Sequence, residues 1–275
     1  MTGSPFQAGA PEYPSGHDLL AGRVVIVTAA AGTGIGSATA RRCLEEGAQV
    51  VISDWHERRL GEMAEQLAEV TGTAPSAVPC DVTDDAQVQA LIEATVAEHG
   101  RIDVLINNAG LGGEVTLEQM TDEQWSRVLD VTLTGTFRCT RAALQQFRRQ
   151  CGWPRSAQPP SGGAIVNNAS VIGWRAQAGQ AHYAAAKAGV MALTRCAAIE
   201  ATELGVRVNA VAPSLARHPF LAKVTSEELL AELTQREAFG RAAEPWEVAN
   251  AIVFLASDYA SYLTGEVLSV SSQHP

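Results

Sequence analysis

Short runs of β-branched and apolar residues recur along this chain, and most are followed by a longer stretch with helical spacing. The runs fall at 23–28, 49–53, 76–80, 104–107, 163–169, 206–211 and 266–270. Helical patterns occupy 35–47, 55–70, 84–99, 122–150, 181–204 and 245–257. Nearly continuous apolar strands suit a sheet covered on both faces, and strand–helix alternation makes that sheet parallel. The pattern predicts an α/β fold: one doubly wound domain over residues 19–275, with helices on both faces. With 275 residues, 46% of them apolar, the chain can fill such a core. Residues 1–18, rich in Gly, Pro and Ser, read as a mobile arm. The Pro-containing stretch 152–163 reads as a surface loop, because the alternation continues after it. A polar-rich helical insert at about 215–240, with Phe220, Leu221, Leu229, Leu230 and Leu233 at near-helical spacing, has two readings. It is a lid over a cleft or a plain amphipathic surface helix.

The net charge is −10, and no block of Lys and Arg interrupts it. That argues against a nucleic-acid partner. No apolar stretch is long enough for a bilayer, and residues 1–23 lack the basic start and apolar run of a secretory leader. Five scattered cysteines without CxxC spacing read as reduced thiols, which fits a cytoplasmic protein. Six histidines show no HxxxH or HExxH pattern, so no metal site is expected.

The turn Thr28-Ala-Ala-Ala-Gly32-Thr-Gly34-Ile-Gly36 joins the first strand to the first helix. Glycines there let backbone approach a pyrophosphate at a helix N-terminus, where free N–H groups and the dipole favour anions. Asp54 follows the second strand. A carboxylate at that position accepts from ribose hydroxyls and repels a 2′-phosphate, which favours NAD over NADP. It also reads as an N-cap for the helix starting at Trp55. Arg58 and Arg59, one turn on, pull the other way. Asp81-Val82 and Asn107-Asn-Ala-Gly110 end the third and fourth strands, on the same expected sheet edge. The residues expected to hold the nucleotide are Ala30, Gly32, Thr33, Gly34, Ile35, Asp54, Asp81, Val82, Asn108, Ala109, Gly110, Tyr183, Lys187, Pro213 and Leu215.

Ser170, Tyr183 and Lys187 follow, with 12 residues between the first two and three between the last two. Tyr183 and Lys187 share one helix face. A phenol near pKa 10 is a weak base at neutral pH, and a neighbouring ammonium favours its phenolate. Ser170 is placed to donate to a substrate oxygen. The three suit a hydride-transfer enzyme in which a proton moves at a carbinol oxygen.

These motifs, with Asn209-Ala-Val-Ala-Pro213, resemble the short-chain dehydrogenase/reductase superfamily over roughly residues 20–272. The resemblance implies a single Rossmann domain, NAD(P), a small-molecule substrate and a homotetramer or homodimer. The segments 28–40 and 238–248 and the ending 271–275 look like a narrower actinobacterial branch. That branch acts late in steroid catabolism, on a hydroxy-methyl-oxo-hexahydroindene-carboxyl-CoA, so a CoA thioester is the implied substrate. A 3-oxoacyl thioester reductase is the alternative enzyme, and a non-catalytic cofactor-binding protein the remote one.

Three features depart from the family pattern. The glycine turn is one residue longer, and an alanine follows Thr28. Thr132 stands where the family has a catalytic asparagine, so a hydroxyl takes the fourth catalytic position. Pro213-Ser-Leu-Ala-Arg217 lacks the usual glycine and threonine. Arg217 reads as a solvated arginine or as a partner for a carboxylate or phosphate. Trp174, Arg175 and Gln177 are candidate substrate contacts, with Trp174 equally readable as a core anchor and Arg175 as solvated.

Overall fold

The computed structural model describes residues 10–151, 162–175, 177–217 and 227–272. Seven strands form one parallel sheet: β1 (Val24–Thr28), β2 (Gln49–Asp54), β3 (Ser76–Pro79), β4 (Val104–Asn107), β5 (Ala164–Asn168), β6 (Arg207–Pro213) and β7 (Val267–Val270). Their order is β3-β2-β1-β4-β5-β6-β7. The direction of crossover reverses between β1 and β4, which opens a crevice at the carboxyl ends of those strands. The helices are α1 (Ile35–Glu45), α2 (Glu57–Thr71), α3 (Asp85–His99), α4 (Asp122–Leu129), α5 (Gly135–Gln150), α6 (Ala181–Ala201), α7 (Glu227–Arg236) and α8 (Pro245–Ala256).

The period-2 alternation of side chains divides the core. Val25, Val27, Val50, Ile52, Val104 and Ile106 pack toward Cys43, Leu60, Val248 and Ile252 of α1, α2 and α8. Ile26, Val51, Leu105, Ile165 and Val208 face Val88, Leu91, Ala142, Phe147 and Ala198 of α3, α5 and α6. Each fully buried Val, Leu or Ile contributes about 1.5–3 kcal/mol, so both faces of the central strands supply stability.

Three expectations change. The pattern at 122–150 is not one helix: a π-helical turn, Asp130–Thr134, separates α4 from α5. The N-cap of α2 is His56, not Asp54, and the helix begins at Glu57. Residues 10–18 are not a loose arm. The Tyr13 ring lies 4.5 Å from the Arg41 guanidinium and edge-on to Trp246 at 5.4 Å, and its hydroxyl donates to Glu45. Burial first, then Glu45, pushes this phenol up to about 12.

The arm is held from beneath by Glu46, whose side chain is fully buried. One carboxylate oxygen pairs with Arg42, and the other accepts the main-chain N–H of His17 at 2.8 Å and of Leu19 at 3.0 Å. Sequence composition hid this because the anchor is the charged C-cap residue of α1, not a residue of the arm. Residues 218–226 of the insert expected to form a lid lie outside the described residues. Helix α7 is present, but Phe220 and Leu221 lie outside the described residues, as do the side chains of Leu229, Leu230 and Leu233. The 152–161 stretch is likewise outside them.

Removing one partner of a buried ion pair leaves the other charge uncompensated, at about 3–5 kcal/mol. Glu46→Ala is therefore expected to cost about that much in urea unfolding. Amide exchange of residues 10–18 should rise in the same variant, and unchanged protection there would exclude the anchoring role.

Candidate active site

Strand register brings the ends of β1, β4 and β5 side by side, with Val27 opposite Ile106 and Asn107 opposite Asn167. The Thr28 hydroxyl closes the seam between β1 and β4. It accepts the N–H groups of Asn108 (3.0 Å) and Ala109 (3.1 Å) and donates to the Ile106 carbonyl. Asn107 donates to Thr140 and to Asn167, and Asn167 donates to Thr194 on α6. None of these links required a charged group in the core.

The turn after β1 reaches α1 with Gly34 as N-cap, and no side chain caps that helix end. The first N–H groups of α1 therefore have no side-chain acceptor, which is the arrangement that receives an anion. A Cβ on Gly36 would sit 2.4 Å from the Ala29 carbonyl oxygen and 2.5 Å from the Asn108 amide nitrogen, so only glycine fits this approach. Ala29 occupies the left-handed region at φ 52°, where a side chain costs about 1–2 kcal/mol. Asp54 contributes more than the sequence indicated. Its Oδ2 accepts the Ala31 N–H at 3.2 Å and its Oδ1 the His56 N–H at 3.0 Å. It ties the turn to β2, and burial holds its pKa above the ordinary value. Arg58 pairs with Glu62 on the exposed face of α2. Asp81 holds the next turn through Thr83, and Val82 is buried beside it. These residues fit a dinucleotide: a cradle without side chains, a free helix end and a carboxylate at the end of β2.

Ser170 follows β5 in extended conformation and caps the short 3-10 turn Val171–Gly173, accepting the Ile172 N–H. Tyr183 and Lys187 project from the first turns of α6. The Ser170 and Tyr183 hydroxyls are hydrogen-bonded, and that bond favours the phenolate. Burial outweighs it and pushes the phenol up to about 12. Lys187 Nζ lies 5.5 Å from the Tyr183 ring centroid and donates to the Asn168 carbonyl. Burial pushes this amine down to about 8. Lowering of the phenol's pKa is expected from Lys187 acting together with the positive ring of an oxidised nicotinamide. In the protein's own environment desolvation is the larger effect and acts on both groups. A Cβ on Gly110 would come 3.4 Å from Lys187 Nζ, so the loop after β4 passes directly over the amine.

Thr132 is fully buried in the π-helical turn. Its hydroxyl donates to the Leu111 carbonyl at 3.1 Å and accepts the Leu111 N–H at 3.0 Å. It holds the 110–112 loop, and its one proton is already committed. Trp174 is 50% exposed, which removes the core-anchor reading. It shares the 171–180 loop with Arg175 and Gln177, between Ser170 and α6. Arg217 is exposed, and its side chain meets Glu244 at 3.5 Å. Its N–H donates to Ala243, and Ala243 donates in turn to Leu215, so the segment after Pro213 is tied to the start of α8. Sequence reasoning missed Asn168 and the buried His182. The His182 Nδ1 accepts the Tyr183 N–H at 2.9 Å, and burial lowers its pKa. The signal for Asn168 was a second amide at the end of an otherwise apolar strand.

A family model described as Enoyl-(Acyl carrier protein) reductase matches residues 29–272. The chain is 60% identical to a short chain dehydrogenase from Mycobacterium smegmatis of known structure. The TM-score is 0.84, with 98% of this chain and 100% of that one covered. The chain belongs to the short-chain dehydrogenase/reductase family. Its relatives include the (5R,7aS)-5-hydroxy-7a-methyl-1-oxo-2,3,5,6,7,7a-hexahydro-1H-indene-carboxyl-CoA reductase of Mycobacterium tuberculosis. That protein is 66% identical over 97% of this chain and 98% of its own length. They also include the cis-4-hydroxycyclohexanecarboxylate dehydrogenase of Sinomonas cyclohexanicum, 41% identical over 92% of this chain and 96% of its own length. Membership makes the protein an NAD(P)-dependent oxidoreductase of secondary alcohols and ketones.

The Lys187 amine has a folded pKa below its unfolded one. The unfolded chain therefore holds a proton that the folded chain releases between about pH 8 and about 10.5. Stability contributed by this group rises with pH across that window, and below it the full penalty persists. Relative to Lys187→Met, the unmodified protein should gain urea resistance between pH 8 and 10. Parallel curves for the two proteins would show that the amine is not desolvated.

Proposed function

We propose that the protein interconverts a ring-borne secondary hydroxyl and its ketone on a CoA thioester, with NAD as the preferred nucleotide. The convergence of the Ser170 hydroxyl, the Tyr183 phenol and the Lys187 amine beside the Gly110 loop carries the chemical part of this reading. The substrate class rests on the 66% identity to the indene-carboxyl-CoA reductase. The cyclohexane-ring substrate named for the second relative agrees with it.

In this reading the first N–H groups of α1 and the backbone of Ala30, Gly32, Thr33, Gly34 and Ile35 receive the pyrophosphate. Asp54 receives the adenosine ribose through the acceptor capacity its two main-chain bonds leave. Asp81, Val82, Asn108, Ala109, Gly110, Pro213 and Leu215 line the rest. When bound, the nucleotide donates or accepts the hydride, and its oxidised ring adds a positive charge that favours the phenolate. Tyr183 holds the proton that moves at the carbinol oxygen, and Ser170 donates to that same oxygen. Lys187, fixed by the Asn168 carbonyl, sits behind the phenol and steadies its ionised form. Burial keeps the phenol protonated at neutral pH, which readies it to donate to a ketone oxygen. Thr132 shapes the loop over this site. Trp174, Arg175 and Gln177 form the substrate side, and Arg217 meets the thioester's polar end.

The domain assignment, residues 19–275 as one unit with a lid at 215–240, belongs to the same proposal. So does a homotetramer or homodimer, supported by exposed Trp125, Phe137 and Ile199 on α4, α5 and α6 and by exposed Leu268 on β7. No helix among the described residues is long and apolar enough to cross a membrane, and a cytoplasmic location is proposed.

A panel of ring-bearing and linear hydroxyacyl-CoA compounds tests the substrate class; faster turnover of the linear ones would reject it. In Tyr183→Phe, turnover should fall about a hundredfold or more while NADH still binds. Undiminished turnover would remove Tyr183 from the proton-transfer role. Asp54→Ala should narrow the ratio of NADH to NADPH affinity by about tenfold, through loss of a charged hydrogen bond and of repulsion. An unaltered ratio would take Asp54 out of the ribose site.

A further inference from the structure

A chain of amides joins the nucleotide turn to the proton-transfer site. The Asn168 side chain donates to Asn108 Oδ1 at 2.9 Å. Asn108 Nδ2 donates in turn to the Thr28 carbonyl (3.2 Å) and the Ala29 carbonyl (3.1 Å). At the other end, the Asn168 carbonyl receives Lys187 Nζ. One residue thus touches the amine with its main chain and the turn, through Asn108, with its side chain.

Three further observations bear on the role of this chain of amides. Ala29 is the residue whose carbonyl it captures, and Ala29 is one of only two non-glycine residues at positive φ among the described residues. An alanine held there needs the surrounding structure to impose the conformation. Asn168 Oδ1 is buried without a hydrogen-bond partner. A leucine of similar size would not carry that cost, so the amide's value lies in its donor. Space at the turn is already exhausted, since Gly36 lies against both the Ala29 carbonyl and the Asn108 amide.

We infer that Asn168 is a positioning residue that holds the strained Ala29 turn in its nucleotide-receiving form and couples that turn to the placement of Lys187. The inference rests on reading the β1–α1 turn as the nucleotide site. Its consequence is that loss of the Asn168 amide weakens nucleotide binding through the strain at Ala29. Relieving the strain by another route restores the binding. Glycine at position 29 adopts positive φ without a side-chain penalty and supplies that route.

The experiment compares the unmodified chain, Asn168→Leu, Ala29→Gly and the double variant. NADH affinity is read by fluorescence, and the pH profile of turnover is followed on a hydroxycyclohexyl carboxylate or its CoA thioester. Asn168→Leu should raise the NADH Kd about tenfold, as expected for a lost, partly buried amide hydrogen bond. It should also displace the pH midpoint of turnover. Ala29→Gly in the same chain should return the Kd to within about threefold of the unmodified value. A Kd within about twofold of the unmodified chain in Asn168→Leu overturns the inference. So does an equal loss with and without Ala29→Gly, because the amide then acts elsewhere than on the turn. Should the leucine variant fail to fold, Asn168→Ala supplies the same comparison without added bulk. An unmodified chain that binds neither NADH nor NADPH overturns the nucleotide reading, and this inference with it. A chain that binds NADH normally and ignores Asn168→Leu overturns this inference alone.

Discussion

The Thr28 hydroxyl holds together the crevice on which the site depends. Parallel strands whose crossovers diverge leave a gap between β1 and β4, and backbone polar groups at a strand end must find partners there. A single hydroxyl accepts two of them and donates to a third. Because it spans the two strands, the turn after β1 and the loop after β4 share one position. The Asn108 and Asn168 amides extend the same seam to β5 and, through the Asn168 carbonyl, to the amine of α6. A neutral network suits this place. It links the strand ends without adding a fixed charge beside the Tyr183 phenol and the Lys187 amine, and it leaves the Asn168 Oδ1 without a partner.

Burial gives that phenol and amine their resting state. Desolvation penalises the charged form of each, raising Tyr183 to about 12 and lowering Lys187 to about 8. The Ser170 hydrogen bond works against the first shift and is the smaller of the two influences. At neutral pH the phenol therefore keeps its proton, and the amine, at about 8, still carries most of its charge.

Glu46 and Thr132 show where reasoning along the chain stops. The arm at 10–18 has the composition of a loose segment, yet it is fastened by a carboxylate about thirty residues later. Nothing in the arm's own residues advertises that acceptor. Thr132 sits in a pattern that reads as continuous helix. A π-helical turn there brings its hydroxyl to the Leu111 backbone, and such a turn has no signature in hydrophobic spacing. Trp174 is the opposite case, because average burial favours a core position and the loop leaves it half exposed.

Local chemistry along the chain determined the strand–helix alternation, the glycine turn and the Ser-Tyr-Lys spacing. It thereby determined the sheet type, the fold class and the family. These signals are short-range: strand runs, a turn that needs glycine, and two side chains one helical turn apart. The tertiary structure alone decided which amides meet across β1, β4 and β5, that Asp54 ties the turn to its own strand, and that burial dominates at Tyr183. Those outcomes depend on register and on exclusion of water by residues distant in sequence, and neither is encoded in any single segment.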